Sequence, residues 1–479
     1  MREFVRHSAI YGLSDATLAV LSLLSTPILT RVFDPSLYGT REFIANVLTL
    51  LSPILLLGLD NAVPGLFVDP AKSARRRTYI TTGLAAMLLW ACVALPMTAV
   101  IAAVSAPPSL ASAEAERALW IALASALPLS VIAYAKYVLR FSFSAAAFAT
   151  VSMSAGILIT VGALSAVTIG GLGLPGLYAG QLVGAIVPGL LAIWLIRADL
   201  GGGVSRGALA EILRVGLPSV PATFLYLAYT LIDRQLLAAL SGTTAVGLYA
   251  VGVRVATIPA TLATVVSLAW YPLASRAVHA GSEYSPLFND ALRYVVAGLS
   301  LLSLAVALFA REIVAVAAPP AYATAALVAA PLSFAIAVGS FGTITGVAIF
   351  VRRRPEIFVA TNAAALFVNA AVALAAVPRF GIIGAAVGVL AGQTVWALAQ
   401  VFIATRLLRE LRLRLREPVV TVCVAGGLAA VAGILPDTGS VLSMGLRLTL
   451  LLAFVAVLIA NGTIRKREWS RVRSAVRGS

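Results

Sequence analysis

The sequence predicts an all-α polytopic membrane protein, with fourteen transmembrane helices that form two parallel six-helix lobes and an accessory helix pair. Composition is the first reason, because 61% of the residues are hydrophobic and 11% are charged. The mean hydropathy is +0.99, and a soluble chain of this length needs far more polar surface. The second reason is the length of the apolar runs, which reach the roughly 20 residues that a helix needs to cross a bilayer. The third reason is an internal repeat.

The apolar runs predict helices and not barrel strands, because they do not alternate between polar and apolar residues. The first twelve helices belong to the repeat, and the last two form the accessory pair. The predicted spans, in chain order, are 8–31, 40–63, 78–104, 117–139, 145–168, 174–196, 216–240, 246–271, 293–313, 322–350, 357–377, 382–404, 418–436 and 442–462.

The repeat appears when the first half of the chain is shifted forward by 208 residues. Turn glycines and prolines then coincide without a gap over some hundred and fifty positions, which indicates two copies of one bundle. Each copy has an even number of helices, so the copies are predicted to be parallel and related by an axis along the membrane normal. The matched pairs are Gly39 and Gly247, Pro64 and Pro272, Gly173 and Gly381, Gly176 and Gly384, Gly180 and Gly388, and Gly184 and Gly392.

The predicted domains are an N-terminal lobe at 1–196, a cytoplasmic linker at 197–215, a C-terminal lobe at 216–404, and a last part at 405–479. The linker contains Gly201, Gly202 and Gly203, which predict a flexible hinge. The last part begins with a basic segment, Arg406–Arg416, whose leucines fit one helical stripe. It is therefore predicted to lie along the inner leaflet, ahead of the accessory helices and a basic tail.

Charge sets the predicted orientation. Most of the 35 Lys and Arg fall in alternate loops and at both ends of the chain, and this asymmetry places both termini in the cytoplasm. The same distribution explains the net charge of +16. It argues against nucleic-acid binding, because the basic residues border apolar spans and form no surface interleaved with aromatic residues. No cleavable signal is predicted, so the expected location is the plasma (inner) membrane, with membrane lipids as neighbours.

Two stretches at matching places in the halves resemble the polysaccharide transporters, the O-antigen-flippase-like members of the multidrug/oligosaccharidyl-lipid/polysaccharide exporter superfamily. The resemblance covers essentially the whole chain, including the fourteen-helix count. The motifs mark this branch of the superfamily better than they mark the cargo. The stretches are Thr26–Pro35 followed by Tyr38–Thr40, and Val215–Pro218 leading through Ile232–Arg234 to Val246–Tyr249.

The resemblance implies a V-shaped pair of lobes that works by alternating access. It implies a flippase that moves a polyprenyl-diphosphate-linked oligosaccharide, such as an O-antigen, exopolysaccharide or cell-wall repeat unit, from the inner to the outer leaflet. Polysaccharide-assembly proteins would then be further partners. The alternative within transport is a cation-coupled multidrug exporter of the same superfamily.

A polysaccharide polymerase or ligase is the alternative from another class. The short predicted outer loops argue against it, because such enzymes place their catalytic residues on larger outer loops. No Walker loop occurs, and His7 and His279 both fall in predicted cytoplasmic segments, so neither an ATPase site nor a metal site is expected. The sequence thus predicts a secondary transporter without catalytic residues.

Four arginines are the substrate-binding candidates: Arg254, Arg234, Arg41 and Arg31. Arginine pairs phosphate oxygens in a bidentate manner and stays charged when partly desolvated, as a diphosphate ligand requires. The predicted helices that carry them are those expected to line the gap between lobes. The structural alternatives are a local ion pair of Arg234 with Asp233, and interfacial snorkelling for Arg31 and Arg41.

The coupling-ion candidates are Asp233, Asp15, Asn362, Asn369 and Thr394. Ionisable groups inside a membrane are costly, which singles out the two aspartates. The resemblance adds that related lipid II flippases build a sodium site from the helices that carry Asp233, the two asparagines and Thr394. Asp15 is the alternative carrier, for a proton. Hydrogen bonding between helices is the structural alternative for the asparagines, and no other cofactor is expected.

Overall fold

The computed structural model describes residues 21, 24–68, 73–105, 112–142, 144–280, 283–352, 354–434 and 441–463. Within these ranges the chain is helical and contains no strand, and a helical stretch at 24–32 precedes the first complete helix. The helices are α1 (Pro35–Leu56), α2 (Leu59–Val68), α3 (Arg76–Ser105), α4 (Ala113–Phe141), α5 (Ala145–Thr168), α6 (Gly173–Ile196), α7 (Arg206–Gly216), α8 (Ser219–His279), α9 (Ser285–Ala317), α10 (Ala326–Thr345), α11 (Val347–Val351), α12 (Pro355–Phe380), α13 (Ile382–Leu407), α14 (Arg416–Ile434) and α15 (Val441–Ala460).

Eleven helical segments among the described residues are long and apolar enough to cross a membrane, against the fourteen predicted. Three differences account for the gap. The predicted span 8–31 lies largely outside the described residues. The predicted span 40–63 is divided into α1 and α2. The predicted spans 216–240 and 246–271 both lie in α8, which counts once.

The break between α1 and α2 occurs at Leu57 and Gly58, which both have positive φ, 51° and 72°. Gly58 also lies against another backbone, because a Cβ at this position would be 2.1 Å from the carbonyl oxygen of Gly216. No side chain fits there, and the left-handed conformation favours glycine as well. The apolar run of the sequence hides this break, because apolarity alone does not show where a helix bends.

Helix α8 contains a break at Gly242, with φ 80° and ψ 178°. The hydroxyl of Tyr249 donates a hydrogen bond of 2.5 Å to Oδ2 of Asp233, 16 residues earlier. Sixteen residues of straight helix would separate them by roughly 24 Å. The chain therefore turns back at Gly242, and α8 consists of two segments that run side by side.

The chain forms two compact units. The first consists of Met1–Leu231, Ser241–Gly247 and Ala317–Pro319, and the second of Ile232–Leu240, Leu248–Val316 and Pro320–Ser479. The first unit is built on a core that includes Tyr79, Met87, Tyr134 and Ile212. In the second unit, one core surrounds Trp270 and Phe288, whose rings meet edge to face at 5.1 Å. Another core there joins α9 and α10 to the accessory helices α14 and α15.

The glycine rows pack helix pairs within each unit. In the first, a Cβ on Gly180 would lie 2.1 Å from the Gly162 oxygen, so α5 and α6 are in backbone contact. In the second, a Cβ on Gly392 would lie 2.8 Å from the Ala365 oxygen, between α12 and α13. Helix α6 begins at Gly173 and helix α13 directly follows Gly381, and these matched glycines both have positive φ, 62° and 53°. The small-residue rows thus serve helix packing, as expected for such patterns.

Gly39 and Gly247, which the 208-residue shift matches, lie against each other's segments in the first unit. A Cβ on Gly39 would be 1.7 Å from the Thr243 oxygen, and a Cβ on Gly247 would be 1.9 Å from the Pro35 oxygen. Ser36 and Thr243 add a hydrogen bond between their hydroxyls, at 3.2 Å. Positions matched by the repeat are therefore in direct contact.

Two of the three glycines of the linker form hydrogen bonds with α3, and the flexible hinge stays a prediction. Gly201 donates its N–H to Thr81 Oγ1 at 3.1 Å, and the Thr78 hydroxyl donates to the Gly202 oxygen at 3.1 Å. A Cβ on Gly202 would be 2.3 Å from the Thr78 nitrogen. The ion pair of Arg75 with Glu211, at 3.0 Å, joins α7 to the same region. The glycines thus permit close docking of the linker on α3.

The predicted helical stripe at Arg406–Arg416 is wrong. Helix α13 ends at Leu407, and the residues 411–415 are extended, with Leu411 buried and Arg412 and Arg414 exposed. The alternation of Leu and Arg over 411–415 has a period of two, which suits an extended chain with one apolar side. We call the residues 408–415 the basic strap.

The basic strap is held by side chains of α9, which act in place of a neighbouring strand. The Ser285 hydroxyl donates to the Glu410 oxygen at 2.9 Å and accepts from the Arg412 nitrogen at 3.0 Å. The Asn289 amide donates to the Arg412 oxygen at 2.8 Å and accepts from the Arg414 nitrogen at 2.7 Å. Each polar side chain thus satisfies two backbone groups of the strap.

We expect Gly39→Ala to lower the melting temperature of the purified protein, equivalent to about 1–3 kcal/mol, because overpacking forces the backbones apart. Gly298→Ala is the matched control, since Gly298 lies in α9 with nothing within 4 Å of a Cβ. The control should leave the melting temperature unchanged or raise it, because alanine favours a helix by up to about 1 kcal/mol over glycine. Thermal unfolding in detergent tests both, and a Gly39→Ala protein as stable as wild type would contradict the close packing.

Candidate functional site

A cluster of buried ionisable and aromatic side chains lies in the apolar helices of each compact unit. We call the first the Arg41 cluster, which consists of Tyr38, Arg41, Glu42, Asn46 and Tyr178. We call the second the Asp233 cluster, which consists of Asp233, Arg234 and Tyr249. Ionisable groups in such surroundings are rare in membrane proteins and typically serve function, so these clusters are the candidate site.

The start of α1 places the Arg41 cluster. Asp34 caps the helix, since its Oδ1 accepts from the N–H groups of Ser36 and Leu37 at 2.8 and 2.9 Å. Pro35 follows at the first helical position, where its missing N–H costs nothing. From this start, three polar or aromatic residues fall on one helical face at intervals of four. They are Tyr38, Glu42 and Asn46, and each is at least nine-tenths buried.

Arg41 is enclosed by partners in the first unit. Its guanidinium forms an ion pair with Glu42 and lies 5.8 Å from the centre of the Tyr38 ring. The Tyr178 hydroxyl of α6 donates to the Arg41 backbone oxygen at 2.8 Å. The Nε of Arg41 and the Nδ2 of Asn46 are buried, and no residue that the structure describes forms a hydrogen bond with either atom. The cluster therefore combines a compensated charge with two donors that are free to bind an acceptor.

Glu42 is the residue that the sequence analysis missed. It lies near the end of the predicted span 40–63, next to Arg41, where a charged residue resembles an ordinary interfacial flank. The signal that could have found it is the spacing of Tyr38, Glu42 and Asn46, which predicts one polar face on an otherwise apolar helix. The structure buries the Glu42 side chain to 8% exposure.

The Asp233 cluster lies across the break in α8. Asp233 is 4% exposed, and its Oδ2 accepts the Tyr249 hydroxyl. Within the described part of the chain, its other oxygen, Oδ1, is buried with no hydrogen-bond partner, and so is the Nε of Arg234. Tyr249 is fully buried. A carboxylate oxygen without a donor in such a place can accept a proton or bind a cation.

The structure places the other candidates separately. Arg254 is half-buried in α8, five residues beyond Tyr249. Arg31 is exposed, and its Nη1 donates to the Pro27 oxygen at 2.7 Å. Asp15 lies outside the described residues.

The asparagines on α12 and the threonine on α13 make local contacts. Asn362 donates to the Phe358 oxygen at 2.7 Å, and Thr394 donates to the Leu390 oxygen at 2.7 Å, both one turn earlier on their own helices. Asn369 is 1% exposed and packs on Gly388, since its Oδ1 would be 2.9 Å from a Cβ there. That Oδ1 has no hydrogen-bond partner. The contacts of Asn362 and Asn369 suit helix packing, and Asn369 keeps one free acceptor.

The family of the chain follows from a comparison with protein-family models. Residues 4–278 match the model described as "Polysaccharide biosynthesis protein". The chain belongs to this family. No curated protein matches the chain as a relative.

Solved structures show the fold of this polysaccharide biosynthesis protein. A structure of the lipid II flippase MurJ in an inward closed conformation has a TM-score of 0.74 at 11% identity, covering 95% of this chain and 99% of that one. An inward-facing multidrug resistance MATE family transporter of the MOP superfamily has a TM-score of 0.67 at 17% identity, covering 82% and 95%.

A third structure has a TM-score of 0.59 at 16% identity, covering 84% of this chain and 96% of that one. It is a MOP superfamily transporter from Pyrococcus furiosus, described by the reverse polarity of its binding pocket, which suggests a different function. At these identities the likeness establishes the fold alone. The protein is therefore a multi-pass membrane protein with the all-helical fold of flippases and transporters, and its named structural relatives are not enzymes.

We expect Tyr249→Phe to lower the melting temperature of the purified protein, by the equivalent of about 1–3 kcal/mol. The change removes only the hydroxyl and leaves the Asp233 carboxylate buried without a donor. Tyr226→Phe is the matched control, because Tyr226 lies in the same helix and is 49% exposed. A double-mutant cycle with Asp233→Asn should show coupling between positions 233 and 249, and additive effects would exclude the interaction.

Proposed function

We propose that this protein is a flippase that moves a polyprenyl-diphosphate-linked oligosaccharide from the cytoplasmic to the outer leaflet by alternating access. The observation that carries the proposal is the match to a polysaccharide biosynthesis family, together with a fold shared over 95% of the chain with a lipid II flippase. A flippase for a related class of lipid-linked sugar would reuse this fold with other cargo contacts.

The arginines are the residues that we propose for binding the diphosphate. Arg41, Arg234 and Arg254 lie in apolar helices and are at least half-buried, and Arg31 would add a more exposed contact. Arginine keeps its charge under partial desolvation and can bind two phosphate oxygens at once. The unpartnered Nε atoms of Arg41 and Arg234 support this role, because a bound phosphate would satisfy them.

Charge also separates this proposal from the alternative, a cation-coupled multidrug exporter. In the second unit, the guanidinium groups of Arg234 and Arg254 accompany the one carboxylate of Asp233, so these three side chains carry a net positive charge. A positive site favours an anionic cargo and disfavours the cationic drugs that such exporters carry. For the Pyrococcus transporter, too, the polarity of the binding pocket is what suggests a different function.

Direction and coupling complete the proposal. The basic residues of alternate loops support an orientation with both termini in the cytoplasm, and in this proposal the cargo is loaded from the inner leaflet of the plasma membrane. Asp233, with its unpartnered Oδ1, is the first candidate for binding a coupling proton or Na⁺. Asp15, Asn362, Asn369 and Thr394 are the further candidates.

We expect Arg254→Ala to reduce export strongly while the protein still inserts in the membrane. Loss of a charge-assisted contact costs about 1.5–3 kcal/mol, which is roughly a tenfold to hundredfold effect. Arg379→Ala is the control, since Arg379 is exposed at the end of α12. Complementation of a flippase-null strain, with expression measured, is the test. Full activity of Arg254→Ala at normal expression would exclude this residue from cargo binding.

We expect transport to depend on the membrane potential. A cargo with about two negative charges that leaves an inside-negative compartment gains roughly 4–5 kcal/mol per 100 mV, because each charge contributes about 2.3. In vesicles, collapse of the potential at a constant ion gradient should slow the appearance of cargo in the outer leaflet. An unchanged rate would mean that the cargo is neutral or that co-transported charge cancels it.

A further inference from the structure

A cavity of about 390 Å³ lies in the second unit, where the basic strap meets the start of α9. This volume falls in the range of small-molecule sites. None of its lining residues belongs to the Arg41 or the Asp233 cluster. The cavity therefore has no part in the cargo site proposed above, and it needs an explanation of its own.

Arg293 is the buried residue of this cavity. It lies two turns into α9 and is 4% exposed. Its Nη2 donates to the backbone oxygens of Gly462 and Thr463, just beyond the end of α15. Its Nε approaches Glu417 at 3.9 Å, and the guanidinium lies 5.3 Å from the centre of the Tyr294 ring. The ends of three membrane-spanning helices, α9, α14 and α15, thus meet at one guanidinium.

The Arg293 guanidinium is not saturated by these contacts. Its Nη1 and Nε are buried and have no hydrogen-bond partner among the described residues. A buried donor without a partner costs about 1–3 kcal/mol, and more when it is charged. An acceptor in the cavity would remove this cost, and a phosphate oxygen is the strongest common acceptor for arginine.

The other charged groups of the cavity are exposed and of both signs. Arg412 and Arg414 of the basic strap contribute positive charge. Four carboxylates contribute negative charge: Glu283, Asp290, Glu410 and Glu417. With Arg293, three positive groups face four negative ones. A simple anion would add to a negative excess, whereas a ligand with one phosphate and one ammonium group would match both sets.

The position of the cavity indicates a membrane surface. Directly after Arg293 the chain is free of charged residues and mostly apolar, from Tyr294 to Ala310. The cavity lies at this transition, which is the depth of lipid headgroups in a bilayer. The strap beside it carries the basic residues that favour such a surface.

We propose that this cavity binds a phosphoethanolamine group, with its phosphate on Arg293 and its primary ammonium among the rim carboxylates. The group has two possible sources, the headgroup of a membrane lipid or a soluble phosphoethanolamine ester. A primary ammonium donates hydrogen bonds to carboxylates, and a trimethylated ammonium cannot. The site therefore discriminates ethanolamine from choline headgroups, as well as from headgroups that lack a cation.

Native mass spectrometry of the full chain, with lipids added in detergent, tests the proposal. We expect phosphatidylethanolamine to be retained at least about tenfold more tightly than phosphatidylcholine or phosphatidylglycerol. Titration with soluble glycerophosphoethanolamine, against glycerophosphocholine and inorganic phosphate, forms the second arm. Binding of the lipid alone identifies a headgroup site, and comparable binding of the soluble ester identifies a site for the soluble group.

Two variants and a control locate the binding. The pair Asp290→Asn with Glu410→Gln changes only exposed side chains, leaves the contacts of Arg293 intact, and should abolish the preference for ethanolamine over choline. Arg293→Gln should lose retention of phosphatidylethanolamine and of phosphatidylcholine. Arg409→Gln should behave as wild type, because Arg409 is exposed on the same segment and does not line the cavity. Equal retention of all three lipids by the wild type, or a preference that survives the Asp290 and Glu410 changes, would overturn the proposal.

Discussion

The cost of a charge in an apolar bundle is the constraint on which much of this structure depends. Three of the ionisable side chains that these helices bury have a polar partner in the fold, whether it is near or far in the chain. Glu42 lies beside Arg41, Asp233 accepts the Tyr249 hydroxyl, and Arg293 holds the carbonyls beyond α15. Breaking such a buried pair costs more than the pair contributes, so these residues constrain the sequence around them.

In each case, at least one buried donor or acceptor atom has no hydrogen-bond partner among the described residues. A ligand can bind that atom. Arg41 and Arg234 keep an unpartnered Nε, Asp233 keeps an oxygen, and Arg293 keeps Nη1. A pair whose donors and acceptors all had partners would stabilise the fold but could not bind a ligand. A pair with one free donor or acceptor is stable enough to fold and still gains energy when a ligand of the right charge arrives.

Sequence reasoning succeeded where apolarity and small residues determine the structure. The helical membrane fold and the packing of the rows at Gly180 and Gly392 could be predicted, because both depend on properties of single residues. It failed where three-dimensional contacts override local pattern. The break at Leu57 and Gly58 and the extended basic strap both depend on what lies opposite in the fold.

Some residues of the candidate site can be found from the sequence, and others can be found only from the fold. Arg41, Arg234 and Asp233 could be found from sequence, because an ionisable residue within an apolar run is conspicuous. Glu42 was hidden at the end of a span, and the link of Asp233 to Tyr249 depends on a turn that periodicity does not reveal. Arg293 is the first residue of the predicted span 293–313, where it resembles an ordinary interfacial flank, and its burial arises from the ends of α14 and α15, which are distant in sequence.

The contact between Gly39 and Gly247 bears on how a duplicated chain can evolve. If the two halves descend from one ancestral segment, these positions have the same origin and also touch each other. A larger side chain at Gly39 or Gly247 would collide with the backbone of the other segment. Each glycine therefore restricts which residues the other copy tolerates at this contact. Asn46 and Arg254, or Thr26 and Arg234, are matched by the same shift and have become different in charge. After a duplication, the contact between Gly39 and Gly247 would thus have stayed the same, whereas the matched positions that now differ in charge could acquire separate roles.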